Sequence, residues 1–257
     1  MPEITVATLN LRNRQDRWLK RRELVVAQLL DATPDLISLQ EVYRPFGQAT
    51  WLKNQINGRL GAKAAGRPYR IVQKRRHHYW KGYLEGIAIL SRLPILSHDA
   101  ISLGYEGRVA LRANIELPTR ETLDFVAVHL HHLARDREAR VEQVMLLTGW
   151  LNEQNPVPLR VIAGDFNEVP QGPAIQQMKQ GYRSAFEERW GHEPVATFPT
   201  ALVEREDDWA GCLDYIFISP AVESVQKVQI FCDKPSVNDP TLYPSDHVGL
   251  LVTLETG

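Results

Sequence analysis

Residues 159–167 read LRVIAGDFN, and this stretch indicates most clearly how the chain folds. Its first five residues, 159–163, are mostly apolar and too few for a good helix, so they predict a buried strand. Gly164 and Asp165 then form a turn dipeptide, and Asn167 follows two residues later. Taken alone, this is ordinary turn chemistry. The same arrangement, an apolar strand that ends in polar side chains, recurs along the chain and guides the interpretation of the rest.

Nine further apolar runs predict strands, and three longer stretches have helical periodicity. The other predicted strands cover residues 4–11, 36–40, 69–73, 86–91, 109–117, 123–129, 214–219, 225–231 and 248–254. The predicted helices cover residues 16–32, 48–60 and 136–152, and a proline follows two of them. About ten strands with few helices favour two packed sheets covered by helices. We therefore expect one α+β domain that spans residues 1–257.

Composition and charge exclude several classes of protein. The chain has 257 residues, of which 44% are hydrophobic and 24% charged, with a formal net charge of -1. This balance argues against a protein that holds nucleic acid by bulk charge alone. Two cysteines exclude a disulfide scaffold and a four-cysteine zinc site. No secretory signal or membrane-spanning run is recognisable, so we expect a cytoplasmic monomer without a membrane span.

Polar side chains interrupt several other strand ends. They are Asn10, Glu41, His129, Asp214, Asp246 and His247. Each has a simple structural explanation when taken singly: an asparagine or aspartate after a strand favours a turn, and a histidine can be a hydrogen-bonded core residue. Together with Asp165 and Asn167, they supply oxygen ligands, carboxylates and imidazoles. All of these residues lie close to an end of a predicted strand. Strand ends can present such groups to a shared cleft.

This set of side chains suits phosphate-ester hydrolysis assisted by a divalent metal. Carboxylate and amide oxygens are the ligands that Mg²⁺ or Mn²⁺ takes, usually with several waters. The sequence has no His-Glu-x-x-His pattern and no cysteine cluster, which argues against a closed zinc site. A metal of this kind screens phosphate charge, a carboxylate orients water, and positive donors stabilise the developing oxyanion.

The same residues carry a resemblance to a known family. The segments TLN, LQEV, VAVHL, GDFN, LDYIF and SDH occur in this order between residues 8 and 247. In this series the chain resembles the endonuclease/exonuclease/phosphatase superfamily, the deoxyribonuclease I-like metal-dependent phosphoesterases. The resemblance implies a four-layer α/β sandwich with two mainly antiparallel or mixed sheets packed face to face and helices outside. It covers nearly the whole chain.

The resemblance also implies a role for each matching residue. Glu41 corresponds to the main metal ligand, with Asn10 and Asp246 close to the metal. Asp165, helped by Asn167, would position or activate the attacking water. The remaining three residues are His247, which would face the scissile phosphate, Asp214, which would hydrogen-bond its other ring nitrogen, and His129, a second phosphate contact. How general-base work is divided between the carboxylate and the histidine stays open.

One position departs from part of the family. The repair-nuclease branch carries an acidic residue two places after the first asparagine, where this chain has Arg12. That branch also usually has a tyrosine in the place of His129. Both differences favour the deoxyribonuclease-like and phosphatase-like branches over the repair branch.

Residues 42–84 carry the strongest local charge, with ten lysines or arginines and no acidic residue. Within them, residues 74–81 read KRRHHYWK and could hold a polyanion by charge and stacking, or could form a solvated loop. Candidate substrate or supporting residues are Arg75, Arg76, Glu85 and Arg140. The acidic run EREDD at 204–208 is most simply a solvated loop.

Three functions remain open on this reading. The leading hypothesis is a Mg²⁺- or Mn²⁺-dependent phosphodiesterase, either nuclease-like or acting on a lipid or small phosphodiester. The alternatives are a phosphomonoesterase of inositol or sugar phosphates and a non-catalytic anion-binding module. In each case the partner is a phosphate ester, with nucleic acid among the possibilities.

Overall fold

Twelve strands form two sheets in the computed structural model, which describes residues 3–61, 67–79, 84–154, 157–203 and 210–256. The strands of the first sheet are β1 (Glu3–Asn10), β2 (Leu36–Tyr43), β3 (Arg70–Arg75), β4 (Glu85–Ser91), β11 (Ser224–Phe231) and β12 (Gly249–Glu255). Those of the second are β5 (Ile95–Ser102), β6 (Val109–Glu116), β7 (Thr122–His129), β8 (Leu159–Asp165), β9 (Arg183–Ser184) and β10 (Asp214–Ile218). Their orders are β11-β12-β1-β2-β4-β3 and β5-β6-β7-β8-β10-β9.

Within the described residues, five α-helices lie between the strands. They are α1 (Trp18–Ala32), α2 (Gln48–Leu60), α3 (Arg137–Glu153), α4 (Pro173–Met178) and α5 (Ala185–Trp190). Among the described residues, no helix is both long and apolar enough to cross a membrane.

The main core lies between the two sheets, because alternate residues of each strand point to opposite faces. Val6 of β1 and Phe125 of β7 belong to this inner core. Their neighbours point outward: Ala7 packs in the cluster beneath α1 and α2, and Val126 packs in the cluster beneath α3 and α4. The order of layers is therefore helices, sheet, sheet, helices, which confirms the four-layer sandwich.

The ten predicted strands and three predicted helices are all present, with ends shifted by a few residues. β5, β9, α4 and α5 were not predicted. β5 reads ILSHDAIS and is mostly exposed or half-buried, so it lacks the apolar run that a buried strand shows. β9 has two residues, and α4 and α5 have six each, too few for a periodic pattern to be recognised.

Strand register brings the polar strand ends together. β7 and β8 are parallel, with His129 opposite Asp165, and β8 and β10 are antiparallel, with Asp165 opposite Asp214. In the other sheet β1 and β2 are parallel, with Asn10 opposite Gln40. The sheets meet near this edge, where Oγ of Ser38 donates to the carbonyl of Ala163 at 2.8 Å.

A bulge in β2 sets the direction of Glu41. The pairing of β2 with β4 shifts register between Leu39 and Val42, and Glu41 has a φ of 50°. Such a left-handed residue is uncommon outside glycine, and a bulge turns one side chain out of the regular alternation. The bulge directs Glu41 into the cleft that lies beyond the strand end.

Candidate active site

A cleft of about 610 Å³ opens where strands of both sheets end. Seven of the twelve predicted site residues line it: Glu41, Arg76, Glu85, Asp165, Asn167, Asp246 and His247. Three others, Asn10, His129 and Asp214, lie behind its wall, each at most 2% exposed. The fold thus gathers residues that are more than 200 positions apart in sequence.

Asn10 ends β1 and joins acids from the two sheets. Its Nδ2 donates to Oε1 of Glu41 at 3.3 Å and to Oδ2 of Asp165 at 2.9 Å. Its Oδ1 accepts a hydrogen bond from the backbone N–H of Arg12 at 2.9 Å. In this orientation Asn10 holds two carboxylates in place, and its place beside the metal stays a prediction.

Glu41 and Asp246 supply charge that fits a hard divalent cation. Burial raises the pKa of Glu41 to about 7, and repulsion from Glu85 and Asp246 adds to the effect. Oδ2 of Asp246 lies 3.2 Å from Nη1 of Arg12, which balances one of these charges. Carboxylates that repel one another in a cleft are stabilised by a cation, and Mg²⁺ and Mn²⁺ prefer such oxygen donors. Glu41 and Asp246 would hold the ion.

His247 forms a hydrogen-bonded pair with Asp214. The Nδ1 atom of His247 lies 2.8 Å from Oδ2 of Asp214, and its Nε2 lies 3.9 Å from Oδ2 of Asp165. Burial alone would lower the pKa of His247, but the two carboxylates outweigh it and raise the pKa to about 10. The hydrogen bond between Asp214 and His247 is the one that the resemblance implied. It makes His247 a buried cation beside the cleft.

Asp165 lies at the centre of the site. Burial and repulsion from Asp214 raise its pKa to about 6, whereas His247 and the hydrogen bond from Asn10 act in the opposite direction. Its Oδ1 accepts the backbone N–H of Asn167 at 2.8 Å. Asp165 is therefore ionised at neutral pH and able to accept a proton.

His129 approaches the same carboxylate oxygen of Asp165 as His247 does. Nε2 of His129 is 3.5 Å from Oδ2 of Asp165, and Nδ1 of His129 is 2.6 Å from Nη1 of Arg108. Burial, followed by the charge of Arg108, lowers the pKa of His129 well below its ordinary value. The site thus contains one charged and one neutral imidazole.

A second group of metal-binding side chains, Glu106, His131 and His132, lies beside the cleft. One ligand atom of each residue lies within 4.8 Å of the others. Nη2 of Arg76 is 3.1 Å from Oε2 of Glu106, and Nη2 of Arg108 is 3.4 Å from Nδ1 of His132. Because Arg76 already balances the carboxylate of Glu106 and Arg108 adds a second positive charge beside His132, the group is a poor place for a further cation.

Arg140 and Arg75 do not line the cleft. Arg140 is completely buried, and its guanidinium donates to the carbonyls of Leu133 at 2.6 Å and Ala134 at 2.9 Å. These two residues line the cleft, so Arg140 supports its wall from behind. Arg75 is exposed at the end of β3. The position of Arg140 agrees with a supporting role, and a direct substrate contact stays a prediction.

Among the described residues of the basic segment 42–84, arginines lie in two separate places. Arg67 and Arg70 line a groove at the start of β3, whereas Arg76, at its other end, is buried in the wall of the catalytic cleft. The charge run is therefore divided between two places. Lys63, Trp80, Lys81 and the acidic run 204–208 lie outside the described residues.

Sequence reasoning missed Arg108 and the function of Arg12. Arg108 precedes β6 without a recognisable motif, and a charged residue before a strand is common. Arg12 was interpreted only as a missing ligand, yet it is ion-paired with Asp246 and also with Asp16, whose Oδ2 lies 2.8 Å from its Nε. The repair-nuclease branch has an acidic residue at the position of Arg12. This reversal of charge could have suggested that Arg12 pairs with an acid of the site.

The comparisons with known proteins agree with this geometry. The model of the Endonuclease/Exonuclease/phosphatase family matches residues 7–247. The chain belongs to this family. No curated protein is significantly similar to the chain in sequence.

Solved structures of family members and related proteins share the fold. An endonuclease/exonuclease/phosphatase from Bacteroides vulgatus is 21% identical, with both chains fully covered and a TM-score of 0.76. D. rerio TDP2 in complex with a single-strand DNA product is 18% identical, with both chains fully covered and a TM-score of 0.79. C. elegans TDP2 is 20% identical over 98% of this chain and 74% of its own, with a TM-score of 0.76. At these identities the likeness concerns the fold.

Proposed function

We propose that the protein is a Mg²⁺- or Mn²⁺-dependent phosphodiesterase. The observation that carries the proposal is the approach of two imidazoles to Oδ2 of Asp165, His129 at 3.5 Å and His247 at 3.9 Å, at the cleft that Asp165, Glu41 and Asp246 line. Membership of a phosphoesterase family supports the reaction class.

The pKa values divide the catalytic work between the residues. Asp165, with a pKa of about 6, is ionised at neutral pH and takes a proton from the attacking water. His247, with a pKa of about 10, stays protonated and faces the phosphate as a cation, and Asp214 holds its ring in place. A metal ion held by Glu41 and Asp246 would supply charge stabilisation at the phosphate. As the water oxygen bonds to phosphorus, the ester P–O bond breaks and the leaving oxygen can take the proton of His247.

A phosphodiester is the preferred substrate class, and nucleic acid is one candidate. A solved TDP2 of the same fold was crystallised with a single-strand DNA product, which makes DNA a sensible first test. Lipid and small-molecule phosphodiesters belong in the same panel. Phosphomonoesters and binding without turnover are the outcomes that would replace the proposal.

The decisive experiment is hydrolysis of bis-p-nitrophenyl phosphate. We expect turnover with Mn²⁺ or Mg²⁺, loss of turnover with EDTA, and a decrease on the order of 100-fold or more in Glu41→Ala and His247→Ala. His98→Ala and Glu153→Ala, on exposed side chains of β5 and α3, are matched controls that should retain activity.

Unchanged hydrolysis in His247→Ala would contradict the proposed mechanism. Faster hydrolysis of p-nitrophenyl phosphate than of the diester would favour a phosphomonoesterase. Binding of the panel without turnover in any metal would favour the anion-binding module.

A further inference from the structure

Arg108 is a buried arginine that contacts both Glu85 and His129. It immediately precedes β6 and is 4% exposed. Its Nη1 lies 2.6 Å from Nδ1 of His129 and 3.3 Å from Oε1 of Glu85. Burying an arginine is costly without partners, and these two contacts show where its hydrogen bonds are directed.

The short contact between Arg108 and His129 determines the tautomer of the imidazole. A guanidinium has only donors and stays protonated in proteins, so Nδ1 of His129 must accept and carries no hydrogen. The single proton of the neutral ring is then on Nε2. This is the nitrogen that faces Oδ2 of Asp165 at 3.5 Å.

Glu85 would favour the opposite tautomer if Arg108 were absent. Its Oε1 lies 4.0 Å from Nδ1 of His129, which is close enough for the two to pair after a small movement. A carboxylate at this position would accept a proton from Nδ1 and would stabilise an imidazolium. Arg108 contacts both His129 and Glu85. Oε1 of Glu85 accepts from Nη1 of Arg108 at 3.3 Å and from Nη1 of Arg76 at 3.2 Å.

We propose that Arg108 is a positioning residue that keeps His129 in the neutral Nε2–H tautomer. His129 then donates a hydrogen bond from Nε2 and does not accept or relay a proton, while His247 remains the charged imidazole. The tautomer is a property of the free protein. The further step, in which Nε2–H donates to a phosphate oxygen in the cleft, rests on the proposed phosphodiesterase function.

The tautomer can be measured without substrate or metal. In protein labelled with ¹⁵N-histidine, long-range ¹H–¹⁵N spectra distinguish a protonated ring nitrogen from an unprotonated one. We expect an unprotonated Nδ1 and a protonated Nε2 for His129 between pH 5 and pH 8, assigned by the signals that disappear in His129→Gln. Signals of a protonated Nδ1 in the wild-type protein would overturn the proposal.

Substitutions of Arg108 test the cause. In Arg108→Met, which removes the donors, we expect His129 to gain a proton on Nδ1 and kcat on bis-p-nitrophenyl phosphate to fall on the order of 100-fold, with KM changed less. Arg108→Lys keeps a donor and should restore the Nε2–H tautomer in part. An unchanged tautomer in Arg108→Met would overturn the proposal, even if its activity falls.

Two comparisons separate this proposal from a folding defect and from failure of the proposed function. Arg112→Met removes another buried arginine, further along β6, that pairs with Asp124 and lies outside the cleft. It should leave the signals of His129 unchanged. Arg108→Met/Glu85→Gln removes the carboxylate that Arg108 balanced and should reduce protonation of Nδ1. If the tautomer behaves as expected but no diester is hydrolysed by the wild-type protein, the proposed function fails and the assignment of Arg108 stands.

Discussion

Glu41 shows how a single residue can favour function at the expense of stability. Its folded pKa of about 7 lies above its ordinary value of 4.5, so the folded protein binds a proton that the unfolded chain has already released. Between these two values the free energy of unfolding falls as pH rises. The ionised carboxylate that a metal needs is therefore destabilising until a metal is bound.

In Glu41→Gln, we expect the metal-free protein at pH 8 to be more stable than the wild type by on the order of 2 kcal/mol, with little difference at pH 4.5. The amide remains neutral and can still accept from Asn10. Urea unfolding in EDTA at both pH values measures this, with Glu153→Gln as the exposed control. Adding Mn²⁺ at pH 8 should stabilise the wild type alone. Equal destabilisation of Glu41→Gln at both pH values would contradict the argument.

For single residues, the sequence was informative where a polar or charged side chain lies next to an apolar strand. Glu41, Asp165, Asp214 and His247 were predictable because each follows, begins or precedes a strand with an apolar run. The amide orientation of Asn10 was not, because it depends on the backbone N–H of Arg12, which has a φ of 54°. A hydrogen bond of this kind leaves no periodic signal in the sequence.

The β7–β8 pair is the element on which the catalytic spacing depends. Gly164 allows this pair to close, since a Cβ at this position would lie 2.0 Å from the carbonyl oxygen of Val128. The next pair in register is His129 and Asp165, and the backbone N–H of Leu130 donates to the carbonyl of Asp165 at 2.9 Å. Any separation of the strands at Gly164 would therefore change the distance between His129 and Asp165.

Gly164→Ala should lower the free energy of unfolding by about 3 kcal/mol, because backbone atoms of β7 must move to admit the methyl group. Diester hydrolysis should fall as well, even at temperatures where the variant is folded. The matched control is Gly149→Ala in α3, where the space is open and helix propensity predicts a gain of about 1 kcal/mol. Chemical denaturation of both variants provides the measurement, and a neutral Gly164→Ala would contradict the argument.

Elements differ in how well the sequence predicts them. α2 was predicted with its observed ends, and β8 was recognised from its continuous apolar run, since it is buried throughout. β5 was missed because it is an edge strand, with only β6 as a partner, and it shows neither burial nor alternation. Its place in the sheet is set by pairing with β6.

At the scale of the whole molecule, positive charge is unevenly placed on a chain whose net charge is -1. Burial lowers the pKa of Arg44, and the charge of nearby Arg75 adds to this effect. Arg75 directly precedes Arg76 of the cleft wall, and Arg67 and Arg70 lie at the far end of β3. We therefore expect a polyanion that extends out of the cleft past Arg76 to lie closer to Arg44 and Arg75 than to Arg67 and Arg70.

We expect Arg44→Gln/Arg75→Gln to weaken oligonucleotide binding and to reduce the slope of log affinity against log salt by roughly 1–2. Turnover of bis-p-nitrophenyl phosphate should change less than about twofold, because a small diester does not extend past the cleft. Arg67→Gln/Arg70→Gln is the matched control. Fluorescence anisotropy with a labelled single strand at several salt concentrations measures the slope. Equal losses from the two double variants would exclude a localised contact.

The amide of Asn10 has a wider consequence, because it ties an acid of one sheet to an acid of the other. The two acids are Glu41, which we propose holds the metal, and Asp165, which we propose accepts the proton. The distance between them then depends on how the two sheets of the sandwich are aligned. A substitution deep in the shared core that slides one half by less than an ångström could abolish turnover without touching any reacting group. In an activity assay, variants of this kind would resemble substitutions of active-site residues. In measurements of stability, they would resemble ordinary changes in core packing.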